Sequence, residues 1–213
     1  MAALNSIIFT FIPMIALLCN IFLLFTLLTA KKDASIYSFM GLLMAFIFWA
    51  GGAYLMRSRI YPGVGFWWKV SLSGIFLVPY MYYLLMAAYV GKKGYFLRLI
   101  FGIITALEIV LNIGNVFMTE PVIEMVNGHM HSSYQLKWPA VIPILFTVVL
   151  FIFIAVMIGK VLRDEDMLLT YMSPLFAGVA FMLVGILINT IFSSIPTDTG
   201  LCNQCDLHLL RLL

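Results

Sequence analysis

The chain has 213 residues, of which 12 are Lys or Arg and 9 are Asp or Glu, while 64% are apolar; the mean hydropathy is +1.10. A soluble domain is about a quarter charged, so 10% charged residues excludes a soluble enzyme, and the high hydrophobicity excludes disorder. A net charge of +3 spread among Phe and Leu excludes nucleic acid as a partner and leaves the lipid bilayer.

Crossing a hydrocarbon core of about 30 Å takes roughly 20 mostly apolar residues in a helix. The uncharged stretches predict six spans, over residues 5–30, 34–56, 68–91, 97–119, 138–160 and 167–194. Runs such as Val148-Val149-Leu150-Phe151-Ile152 do not alternate as porin strands do, so the expected fold is an all-α, polytopic helical bundle over residues 1–198. The first segment lacks the basic n-region of a signal peptide and reads as a true span. The tail, 199–213, holds Asp206, His208 and Arg211 and is too short and polar to cross.

Basic residues in short loops orient such a bundle. Lys31, Lys32, Lys92, Lys93, Arg98, Lys160 and Arg163 fall on one side, and Arg57, Arg59, Lys69, Lys137 and Arg211 on the other. The bias predicts an outside N-terminus and places the Lys-Lys loops in the cytoplasm.

Three features carry candidate chemistry. Trp67 and Trp68 precede the third span, and Tyr134 and Trp138 the fifth. They read either as interfacial anchors or, for Trp67-Trp68, as the mouth of an outward-facing pocket. The long outer connection, 120–137, holds the turn pair Asn127-Gly128 and a His129-x-His131. That pair reads as a polar turn tip or as two metal ligands, where a metal site needs three or four. Third, Glu108 lies near the middle of the predicted fourth span, where an acid costs about 2.5–3.5 kcal/mol. Asn112 and Asn115 fall within about 40° of it at helical spacing. Such a stripe faces the bundle interior or a wet cavity. Either it binds a ligand, an ion or a proton, or it is interhelical hydrogen-bonding glue with Asn20, Tyr80, Tyr83 or Asn189 as partners.

Cys19 is an apolar filler in the first span. Cys202 and Cys205 form a CxxC, the spacing of a redox dithiol, but a relay needs a second cysteine pair that the chain does not hold. Gly178 and Gly185, with Ala177 and Ala180, give the sixth span a small-residue packing face. No dinucleotide, phosphate-loop, zinc-protease or nucleophile-elbow motif is present. A catalytic role and a cofactor are therefore not expected.

The chain closes its first span on Ala30-Lys31-Lys32-Asp33 and carries Phe48-Trp49 in the second. Phe66-Trp67-Trp68 ends the next outer loop, and Val78-Pro79-Tyr80 sits in the third span. Leu168-Leu169 and Pro174-Leu175-Phe176-Ala177-Gly178 open the sixth span, which ends Ser194-Ile195-Pro196-Thr197-Asp198. This order resembles the N-terminal seven-helix membrane region that precedes the catalytic domains of many bacterial sensor histidine kinases and diguanylate cyclases. The resemblance implies a sensory input module for a small-molecule ligand or for the membrane itself, commonly dimeric and with no catalysis of its own. It departs at the end: where the family has a seventh span, this chain has Cys202-Asn203-Gln204-Cys205-Asp206-Leu207-His208, which reads as a truncated or frame-shifted terminus. The candidate ligand set is Trp67, Trp68, Tyr80, Tyr83, Glu108, Asn112 and Asn115. The alternatives are a small ion-coupled transporter using Glu108 and a membrane thiol oxidoreductase using Cys202 and Cys205.

Overall fold

The computed structural model describes residues 2–91, 94–119, 121–126 and 129–164, with side chains for all of these except 2–10, 122–133 and 160–164. Five long helices follow one another: α1 (Ala2–Leu28), α2 (Ala34–Arg57), α3 (Val64–Tyr89), α4 (Tyr95–Ile113) and α5 (Val141–Asp164). All five are long and apolar enough to cross a membrane, and the protein is a membrane-embedded helical bundle. The predicted sixth span, its Gly178 and Gly185, and the cysteine tail lie outside the described residues.

Local chemistry sets the helix ends. Asp33 caps α2, its carboxylate accepting from the Ile36 N–H at 2.8 Å, which satisfies a donor the first turn leaves free. α3 begins at Val64, four residues before the expected span, so Trp67 and Trp68 belong to its first turns and do not precede it. α4 is the shortest of these five, at 19 residues, and stops six residues before the expected end. Gly114 caps it and Asn115 takes a left-handed backbone, φ 57°. The Asn115 N–H then donates to the Asn112 carbonyl (3.0 Å) and the Val116 N–H to the Leu111 carbonyl (3.2 Å). This pair of bonds closes a helix C-terminus, with Asn in the place more often held by Gly.

The connection after α4 is not simply a loop. β1 (Val122–Val126) pairs antiparallel with β2 (His129–Ser133), with Val126 opposite His129 and Glu124 opposite His131. The hairpin's base is fastened to the bundle. The Lys137 N–H donates to the Phe117 carbonyl at 2.9 Å, and Lys137 Nζ to the Asn115 carbonyl at 2.7 Å. Phe117, fully buried, meets Phe76 edge-on at 5.7 Å within a cluster that includes Leu72 and Ala140.

α3 is the hub. It packs on α2, α4 and α5, while α1 packs on α2, and it is the most buried of the five. The α2–α3 contact is a backbone contact. A Cβ on Gly52 would stand 2.6 Å from the Ser71 nitrogen, and one on Gly74 2.5 Å from the Trp49 nitrogen. Ser71 Oγ donates to the Trp49 carbonyl at 2.9 Å, sealing the same crossing. In lipid there is no hydrophobic drive between helices, so such close approach of backbones supplies the dispersion that holds them.

Outward, the bundle shows the side chains lipid accepts. Phe22, Phe25, Ile103 and Val110 are exposed, and exposed aromatics gather at both ends, Tyr61 and Trp138 at the hairpin end and Tyr95 and Phe96 at the other. That distribution fits two membrane–water interfaces.

Gly52→Ala and Gly74→Ala each put a methyl into opposing backbone, so each costs about 1–3 kcal/mol. Gly159→Ala, with nothing within 4 Å of its Cβ, is neutral or stabilising. Thermal unfolding of the three variants in detergent micelles checks this order.

Candidate functional site

α4 is apolar where it faces lipid and polar where it faces protein. Its buried residues are Phe101, Thr105, Glu108 and Asn112, a stripe at helical spacing, while Leu99, Ile103, Leu107 and Val110 are exposed. The stripe lies against α3. At one end, Asn112 Nδ2 donates to the Lys69 carbonyl (3.0 Å) and to Ser73 Oγ (3.1 Å). Ser73 Oγ itself donates to the Lys69 carbonyl at 2.8 Å. Toward the other end, the Tyr80 hydroxyl donates to the Arg98 carbonyl (3.2 Å) and lies over Gly102, whose Cβ would meet it at 2.8 Å. Tyr83 crosses Phe101 edge-on at 5.0 Å.

Glu108 sits between these two sets of contacts and takes part in neither. It is 3% exposed, and its Oε1 is buried with no hydrogen-bond partner among the described residues. Asn112, one turn away on the same face, is equally buried but satisfied. Thr105, at 2% exposure, turns its hydroxyl back to the Phe101 carbonyl at 2.9 Å and leaves nothing for the acid. Because α4 ends at Ile113, Glu108 lies about 7.5 Å along the axis from the hairpin end. It is closer to that surface than the middle of a longer span would have placed it.

The seven candidate ligand residues do not converge. Tyr83 and Trp67 are separated by about 24 Å along α3 at 1.5 Å per residue. Tyr80 and Tyr83 serve the far end of the α3–α4 contact. Asn115 leaves the stripe altogether and works as a helix cap. Trp67 spends its indole N–H on the loop before α3, donating to the carbonyls of Ile60 (3.0 Å) and Tyr61 (3.3 Å). Trp68 stacks at a tilt on Tyr134, 4.9 Å between centroids, and its buried Nε1 has no partner among the described residues. What comes together is smaller: Asn112, Ser73 and the Lys69 carbonyl, with Glu108 one helical turn away on the same face of α4. Ser73 and the Lys69 carbonyl are not among the sequence-predicted site residues, although a Lys and a Ser four apart at the start of an apolar helix share one face.

Asn20 donates to its own helix at the Ala16 carbonyl, 2.7 Å, and is no partner to Glu108; Asn189 lies outside the described residues. His129 and His131 stand two apart on β2, and their side chains lie outside the described residues. Among the described residues no three of His, Cys, Asp and Glu are grouped to hold a metal. Cys19 is exposed and free.

With this geometry in view, the chain was compared with known proteins, and no protein family, curated protein or solved structure matches it.

The two polar residues on one face of α4 therefore have opposite energetic signs. Asn112→Ala removes two interhelical bonds and lowers stability by about 1–2 kcal/mol. Glu108→Leu removes an acceptor that nothing satisfies and raises stability by about 1–3 kcal/mol. Unfolding of both variants in low-salt micelles checks the contrast, and a destabilised Glu108→Leu identifies the carboxyl as structural glue.

Proposed function

We propose that the chain is the membrane-embedded input module of a signalling protein. It binds its ligand at Glu108 in the hairpin half of the α3–α4 contact, and catalytic output belongs to a domain outside residues 1–213. The observation that carries this reading is the buried Glu108 oxygen with no partner among the described residues. Uncompensated polar groups inside a membrane bundle are costly and mark binding or relay sites. The adjoining satisfied pair, Asn112 and Ser73, holds the two helices in one arrangement that a ligand at Glu108 can shift. A ligand signals only when two arrangements bind it with different affinity.

The finer parts of the reading rest on the sequence. The chain carries a sixth span over 167–194, in the manner of the seven-helix sensor regions of bacterial histidine kinases and diguanylate cyclases, and a homodimer is the assembly that resemblance implies. The N-terminus and the hairpin are outside the cell membrane, and the Lys31-Lys32 loop is inside, following the basic-loop bias.

A second reading is favoured by the same carboxyl: an ion-coupled carrier in which Glu108 is the coupling acid. The two separate cleanly. Joined after residue 197 to a histidine-kinase output domain, the signalling module changes the phosphorylation of the cognate regulator by about 5-fold or more on Glu108→Gln, with no ion flux in proteoliposomes. The carrier shows flux that collapses in Glu108→Gln and leaves the chimera's output unchanged. In a background with native cysteines replaced by Ser, Gln135→Cys reacts with an impermeant maleimide on intact cells and Lys32→Cys reacts only after lysis; the reverse pattern inverts the orientation.

A further inference from the structure

We propose that the Glu108 site takes a monovalent cation, an alkali-metal ion or a protonated amine, reached from the hairpin end of α4. The inference rests on the Glu108 site of the preceding reading and names the class of its occupant.

The hydroxyl and amide donors bordering the carboxyl are committed. Both bonds from Asn112 Nδ2 go to α3, to the Lys69 carbonyl and Ser73 Oγ. Ser73 Oγ donates to the Lys69 carbonyl, and Thr105 Oγ1 to the Phe101 carbonyl. What is left over is an acceptor, Glu108 Oε1. A buried carboxylate facing the interior of a membrane bundle is the oxygen type that marks ion sites and ion pathways.

Charge sets the valence. One buried carboxylate balances one positive charge; a divalent ion is held by several oxygen ligands and commonly by more than one carboxylate. No second acid joins Glu108 among the described residues in a metal-holding group. An anionic ligand adds a second negative charge beside the buried carboxylate, which is the costly state.

The test uses the full chain in phosphatidylcholine nanodiscs, with unfolding followed by intrinsic tryptophan fluorescence. Sodium, potassium or methylammonium chloride is titrated at constant ionic strength against choline chloride, whose quaternary nitrogen has no N–H and is shielded by methyl groups. The expected result is a saturable rise of the midpoint, roughly 5–10 °C at 100 times the half-saturating concentration. A response to sodium or potassium assigns the alkali-metal source and a response to methylammonium the amine source. Glu108→Gln abolishes the rise. Glu108→Asp keeps it but moves half-saturation at least about tenfold higher, and decides the matter if the Gln variant does not fold. No difference from choline, a response to magnesium or calcium alone, or an undiminished rise in Glu108→Gln overturns the proposal. A cation-dependent rise with unchanged output from the chimera overturns the signalling reading and leaves the cation site standing.

Discussion

The bundle depends on one contact, the crossing of α2 over α3 where Gly52 and Gly74 let the two backbones touch. Each glycine costs about 0.5–1 kcal/mol of helix stability relative to Ala, and each stands where a methyl group has no room. The Ser71 hydroxyl, bonded to the Trp49 carbonyl, adds a polar seal to a crossing that lipid cannot enter. With α2 fixed to it, α3 becomes a rigid reference on which α4 and α5 are laid. The Lys69 carbonyl and Ser73 are presented to Asn112 because the opposite side of α3 is held so closely.

Against that rigid partner α4 is an inverted helix by soluble standards, with its apolar side out and its polar side in. Inversion is what a bilayer demands, but it explains only satisfied polar groups. Asn112 and Thr105 meet their bonds; Glu108 does not. A chain selected for stability alone would put Leu or Gln at 108 and lose nothing from its neighbours. Keeping an acid there is the kind of local rule-breaking that marks a functional site in an otherwise consistent structure.

The spans were legible because charge is excluded from them so thoroughly that the loops stand out. Azimuth was legible too: helical spacing put Glu108 and Asn112 on one inward face, and both are buried there. Depth was not. A helix wheel carries no information about which turn of the neighbour a residue meets, so it groups Tyr80 and Tyr83 with Trp67, which lies about 20 and 24 Å from them along α3. The end of α4 was hidden because Asn at 115 reads as one more polar residue on the stripe, whereas its tolerance of the left-handed backbone makes it the terminator. The hairpin escaped notice because five-residue strands leave little periodicity to read. The Gly52–Gly74 crossing carries the same sequence signal as Gly178 and Gly185, since small residues inside spans mark close packing.

α4 has a further consequence through its length. Its 19 residues rise about 28 Å, against about 39 Å for the 26 residues of α3 at 1.5 Å each. A bilayer matched to one is mismatched to the other, so the long helices tilt or the lipid pinches inward beside α4, at a fraction of a kcal/mol per Å. Among the described helices, α4 accordingly offers the shortest lipid contact. A change in acyl-chain length is felt there first, and the distance of the Glu108 carboxyl from water follows the composition of the membrane around it.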